Sequence, residues 1–254
     1  MHKLTLGQLF VQPVIPISFI LSFSTLIAFF FYCIRSGRAK NEKQVSWLLT
    51  FASSFVCTFA SIPYFWRFWY SGWDMRYVQG QTNFDMALVC FFISYLVLDL
   101  SLGSLYYKNR ITVATGYVHH TLYVIILFWL MRQRSASFFV VNSLLELPTL
   151  ILAVGSLKQK WRCDFLFAFT FFLLRLVFHG WMIFALKDSH RIDKLWMVAV
   201  CMYPLHLYWF YGIIRQQIRV HAKSIKWILG AADGAKHTLE KRPKHNFLDK
   251  IMSI

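Results

Sequence analysis

Gly116-Tyr117-Val118-His119-His120-Thr121-Leu122-Tyr123-Val124 places two adjacent histidines inside a run apolar enough to lie in a bilayer. Polar side chains in hydrocarbon are expensive, so each imidazole should face a protein interior and find a partner there. The stretch reads as one helix of a membrane-embedded bundle.

The chain on either side has the same character. Its 254 residues are 57% hydrophobic, with a mean hydropathy of +0.49 and 26 phenylalanines. This is too apolar for a soluble domain and marks an all-α polytopic membrane protein. The formal charge of +16 comes from basic residues in short loops and in the C-terminal tail. Placed beside apolar runs, these charges suit anionic lipid headgroups and exclude nucleic acid as the partner. Five cysteines (Cys33, Cys57, Cys90, Cys163, Cys201) are odd in number, lack CxxC spacing and read as packing thiols. The run after Pro13 and Pro16 has no small-residue cleavage site before Arg35 and reads as an anchor helix.

A spanning helix needs about 20 apolar residues, and seven segments qualify: 13–34, 45–66, 84–107, 113–131, 137–154, 163–187 and 194–215. Residues 1–44 form the anchor helix and a loop, 45–215 hold six helices, and 216–254 are a basic tail. With the N-terminus luminal, the cytosolic segments carry eighteen Lys and Arg against eight on the luminal side, so the C-terminus is expected in the cytosol. Aromatic residues from Tyr64 to Tyr70, with Trp73, form an interfacial belt. In the tail, Ile218, Ala222, Ile225 and Leu229 recur on one helical face and Arg215, Arg219, Lys223 and Lys226 on another, the pattern of an amphipathic helix on a leaflet. Beyond Gly230 the tail is expected to be disordered or loosely membrane-associated.

Seven ionisable residues lie well inside the apolar segments: Asp99, His119, His120, Glu146, Arg175, His179 and His206. Insertion scales put the charged types at about 2.5–3.5 kcal/mol each. Counting a rise of about 1.5 Å per residue from the cytosolic helix ends places Asp99, His119, Glu146 and His206 at roughly 9–14 Å, in one layer, with Arg175 and His179 deeper. Asn142 and Glu146 are four residues apart and share a helical face, as do Arg175 and His179. Pro148 lacks an N–H and leaves the carbonyl of Leu144 without its helical donor. Together these positions predict a polar pocket within the bundle.

The residue types leave several chemistries open. A neutral imidazole oriented by a carboxylate is a general base or a nucleophile. Adjacent histidines point about 100° apart on a helix, so one can be held by a neighbour while the other faces a ligand. An acyl-imidazole formed in a dry pocket is protected from water, which fits acyl transfer from a soluble thioester to a lipid. An ion pair of Asp99 or Glu146 with Arg175 could equally be purely structural. A metal site is disfavoured, because HxxxH and HxxHH spacings are absent.

Tyr95-Leu96-Val97-Leu98-Asp99-Leu100, then His119-His120, then Asn142-Ser143-Leu144-Leu145-Glu146-Leu147-Pro148-Thr149, then Phe171-Phe172-Leu173-Leu174-Arg175-Leu176 resemble the TLC domain family. The similarity covers about residues 45–215 and is closest to the small TLC domain-containing proteins, relatives of ceramide synthases. The resemblance implies six TLC helices in a barrel around a central cavity, in the endoplasmic reticulum or a related endomembrane. It implies a fatty-acyl or ceramide-like lipid as ligand and acyl-CoA as co-substrate, with no other cofactor. By resemblance His119 and His120 are catalytic; the common depth of the polar residues suggests Asp99 or Glu146 as the orienting carboxylate, with Asn142, Arg175, His179 and His206 as substrate-binding or structural residues. The helix after the double histidine departs from the ceramide synthase pattern, carrying Asn142 and Glu146 where those enzymes have a His-Asp and a following Asp. A non-catalytic regulator of membrane lipid composition and fluidity is the alternative, and a proton-coupled transporter a weaker one.

Overall fold

The computed structural model describes residues 3–240 and has no strand among the described residues. We label its long helices α1 (Val14–Arg35), α2 (Leu48–Tyr70), α3 (Asn83–Tyr106), α4 (His119–Arg132), α5 (Ala136–Leu157), α6 (Asp164–Ser189) and α7 (Leu195–Glu240). Six of them, all but α4, lie in helices long and apolar enough to cross a membrane. The protein is therefore a multi-pass membrane protein.

The expected span 113–131 is the one that departs from regular geometry. Its α-helical part has 14 residues, about 21 Å of rise, and it is preceded by a π-helical stretch, Val113–Val118. The carbonyl of Thr112 accepts from the N–H groups of both Gly116 and Tyr117, at 3.0 and 3.3 Å. Gly116 is needed there, because a β-carbon would collide with Ile111. The segment nonetheless returns across the bundle. Gly80, just before α3, exchanges hydrogen bonds with Ser137 at the start of α5, so the chain is back at the end from which α3 set out.

Packing divides the chain into Met1–Phe210 and Tyr211–Ile254. In the first unit α3 is the most enclosed helix, with 61% of its most apolar window buried against 22% for α1. A reciprocal cap starts it: the Asp85 carboxylate accepts from the N–H of Thr82 at 2.8 Å, and the Thr82 hydroxyl from the N–H of Asp85 at 3.2 Å. α2 buries Ser53, Ser54, Cys57, Thr58 and Ser61 and packs chiefly on α5. Small side chains let two backbones approach where lipid supplies no hydrophobic drive, and the hydroxyls of Ser54 and Ser61 donate to carbonyls of their own helix. Large apolar residues such as Ile17, Ile20, Phe59 and Phe165 point outward, as a lipid solvent allows.

In the second unit the helix continues to Glu240. The loss of structure expected beyond Gly230 does not occur over 230–240, where Ala231, Ala232 and Ala235 favour helix. The remaining tail, 241–254, lies outside the described residues.

The two ends of the first unit are built differently. At the Gly80 end, Leu4 and Arg132 pair through the Leu4 N–H and the Arg132 Nε, each donating to the other's backbone carbonyl. The Arg191 guanidinium donates to the carbonyls of Gln79, Gln133 and Arg134 and to the Ser135 hydroxyl, at 2.7–3.2 Å. At the Tyr107 end, the amide of Gln44 donates to the Leu157 carbonyl at 3.1 Å.

Candidate functional site

The first part of the site lies between α3 and α4. α3 stops at Tyr106, and Tyr107, with φ −149° and ψ 43°, turns its ring back along the helix. Its hydroxyl donates to Asp99 Oδ1 at 2.7 Å. Gly103 makes room for this, since a β-carbon there would sit 2.7 Å from the Tyr107 ring and would collide with Ile111. Asp99 is thereby held with Oδ2 3.6 Å from Nδ1 of His120, both side chains almost enclosed. That separation is too long for a hydrogen bond, and catalytic contacts often tighten only when substrate binds. Behind His120 lies Tyr95, ring to ring at 5.9 Å, with its hydroxyl 3.4 Å from that of Thr50 on α2.

His119 leaves α4 in a different direction. Its ring is 5.7 Å from that of His120, 5.4 Å from Tyr123 and 5.5 Å, edge-on, from Trp209 of α7. Nδ1 of His119 and Nδ1 of His120 are both buried and neither has a hydrogen-bond partner. Unmade hydrogen bonds on buried groups are costly; Nε2 of His190 is also unpartnered, and what sets His119 and His120 apart is that two such nitrogens lie on adjacent residues beside a carboxylate.

The second part is organised by Arg175. α5 contains a 3-10 turn at Ser143–Glu146, just before Pro148. The carbonyl of Leu144, expected to be free, accepts from the N–H of Leu147 within that turn. The tighter turn instead presents the carbonyl of Leu145, which accepts from Arg175 Nε at 3.0 Å. The same guanidinium donates to Glu146 Oε1 at 3.1 Å and to the Thr149 hydroxyl at 2.8 Å. Glu146 is thus the partner of Arg175, and Asp99 is the carboxylate beside the double histidine. Asn142 joins neither, because its amide donates to the Phe138 carbonyl of its own helix at 2.8 Å.

Arg175 lies in a second π-helical stretch, Phe172–Phe178. The wider turn leaves carbonyls for α7: that of Leu176 accepts from the Tyr203 hydroxyl at 3.3 Å, and that of Arg175 faces Nδ1 of His206 at 3.1 Å. His206 Nδ1 is also 2.9 Å from Nδ1 of His179, whose Nε2 is 3.1 Å from the Ala199 carbonyl. With both rings neutral these partners fix the tautomers. His179 donates from Nε2 to Ala199, so its Nδ1 accepts, and His206 donates from Nδ1, leaving Nε2 with the lone pair. Trp209 links the two parts, lying 5.8 Å from the Arg175 guanidinium and 6.0 Å from the His206 ring.

The residues expected in one layer therefore meet as two clusters, with His119 and Trp209 between them. Three participants, Tyr107, Thr149 and Trp209, are not among the candidates that the sequence points to; a hydroxyl eight residues beyond an intramembrane Asp is the available signal for the first. No group of three or more His, Cys, Asp or Glu side chains able to hold a metal ion converges among the described residues. A scan against protein-family models and searches of curated proteins and solved structures return no match to this chain.

Proposed function

We propose that the chain is a membrane lipid-handling protein of TLC type, with its helices arranged as a barrel around a lipid-binding cavity, that transfers a fatty-acyl group from acyl-CoA to a lipid acceptor. The observation that carries this reading is the pair of unpartnered, buried imidazole nitrogens on His119 and His120 beside a carboxylate locked by Tyr107. His119 is the nucleophile: an unprotonated ring nitrogen adds to the thioester carbonyl, the C–N bond forms, the C–S bond breaks, and the thiolate leaves. His120, oriented by Asp99, takes the proton of the acceptor amine or hydroxyl as that group attacks the acyl-imidazolium and releases neutral His119, and then passes the proton to the thiolate. Arg175, Glu146, His179 and His206 hold α5, α6 and α7 around the site. The resemblance of the Asp99, His119-His120, Glu146, Arg175 order to the TLC family supports the lipid class and an endoplasmic-reticulum or related membrane, and the Lys and Arg bias of the loops and tail supports a luminal N-terminus.

The test is incubation of purified protein with acyl-CoA of several chain lengths, followed by peptide mass spectrometry. An acyl adduct on His119, absent from His119→Ala, is expected, with turnover when a sphingoid base is added. Absence of both adduct and turnover removes the enzymatic reading. If His119→Ala/His120→Ala also preserves the cellular lipid profile, the chain is a non-catalytic regulator of membrane lipid composition.

A further inference from the structure

The loops at the two ends of the bundle carry similar numbers of Lys and Arg, nine at the Tyr107 end and eight at the Gly80 end, and differ in how many are free. At the Gly80 end three arginines are committed: Arg76 pairs with Asp74, Arg132 donates to the Leu4 carbonyl, and Arg191 makes four hydrogen bonds to neighbouring loops. Lys3, Arg67, Lys187 and Lys194 are exposed there without an ion pair among the described residues, on separate segments, and Lys187 lies over Trp196. Asp188 and Asp193 flank the same end. At the Tyr107 end, Lys40 and Lys43 from one loop, Lys108 and Arg110 from a second, and Lys158 and Lys160 from a third are all exposed. None of these six makes an ion pair among the described residues. The loops are neighbours, because Gln44 donates to the Leu157 carbonyl and Phe30 and Phe31 of α1 pack edge-on against Tyr106. The two acids at this end do little to offset the charge. Asp164 is taken by Arg162, and Glu42 is half-buried with Oε1 enclosed. Between the lysines of the third loop stands Trp161, 56% exposed, with Lys158 Nζ 4.5 Å and Lys160 Nζ 5.8 Å from its ring centroid.

We infer that the Tyr107 end is an anionic-lipid-binding surface, seating the phosphates of acidic phospholipid headgroups with Trp161 as its interfacial anchor. Charge complementarity selects the occupant: uncommitted cations around the end of an apolar bundle meet headgroup phosphates at that depth, and an exposed indole sits at the same level. A long side chain can keep its stem against apolar surface and its charge in the headgroup layer. This inference is independent of any chemistry at His119 and His120, and it orients the bundle by the charge left free rather than by the charge present.

The test is native mass spectrometry of the full chain released from vesicles of equal parts phosphatidylcholine and phosphatidylserine. Retained phosphatidylserine is expected to fall about fivefold for each of the first charges removed in Lys40→Gln/Lys43→Gln/Lys158→Gln/Lys160→Gln. The matching Lys3→Gln/Arg67→Gln/Lys187→Gln/Lys194→Gln variant, which removes four exposed charges at the other end, is expected to retain it unchanged. Equal retention by both variants overturns the inference. So does displacement of the lipid by inorganic pyrophosphate at constant ionic strength, which marks a site for a soluble phosphate compound.

Discussion

The two polar clusters use similar side chains and end in opposite states. Around Arg175 the guanidinium has carbonyl, carboxylate and hydroxyl acceptors, and the His179–His206 pair is bracketed by two carbonyls. Around Asp99 the carboxylate is held, yet His119 and His120 each keep a buried nitrogen with no partner. On the proposed reading the difference separates framework from chemistry: the satisfied network fixes helices, and the unsatisfied nitrogens of His119 and His120 are left for a ligand.

The comparison breaks most visibly at Arg175. Arg175→Met leaves Glu146 buried without its cation and is expected to cost about 3–5 kcal/mol. The thermal midpoint of the solubilised protein reads this, and adding Glu146→Gln should recover part of the loss. His206→Phe leaves His179 Nδ1 and the Arg175 carbonyl unmatched and is expected to cost about 1–3 kcal/mol in the same measurement. Gly103→Ala acts on the other cluster, forcing Ile111 and the Tyr107 ring aside. A loss of about 1–3 kcal/mol should accompany a weakened acyl adduct, because Asp99 loses its tether. His119→Gln, at the unpartnered position, should cost less, about 1 kcal/mol, while abolishing the adduct.

A smaller effect is expected at the Gly80 end. Burial, helped by the Arg191 charge, pushes the His190 imidazole down to about 4, and its Nδ1 accepts from the N–H of Ile192 at 3.1 Å. The ordinary value is about 6.5, so the neutral ring's contribution is complete above that pH and is lost as pH falls toward 4. Hydrogen exchange at residues 190–192 should rise over this window, and His190→Asn should flatten the dependence.

Hydropathy alone located the helices, because a spanning segment must be apolar for its whole length whatever it packs against. It placed 113–131 in the membrane and missed its π-helical start, since Gly116 reads as an ordinary apolar position until Ile111 lies against it. Depth counting, which rests on the nearly constant rise along a helix, grouped Asp99, His119, Glu146 and His206 and set Arg175 and His179 apart as deeper, whereas Arg175 meets Glu146 and His179 meets His206. It left open which carboxylate meets which cation. That choice depends on rotation about each helix axis, and the 3-10 turn in α5 and the π-helical stretch in α6 each alter that rotation locally. The His179–His206 pair was invisible for the same reason: the two residues stand on different helices, and only the widened turn at Phe172–Phe178 offers the Arg175 carbonyl that aligns them.

Arg191 has a mechanical meaning as well. One side chain gathers the loops before α3 and before α5 onto the link that precedes α7. A bundle clamped in this way behaves as a set of cantilevers, stiff at the root and compliant at the tip, so displacement grows with distance from the clamp. Splaying of the helices is therefore expected to be greatest toward the Tyr107 end, where Ile111 lies against Gly103 and Gly116.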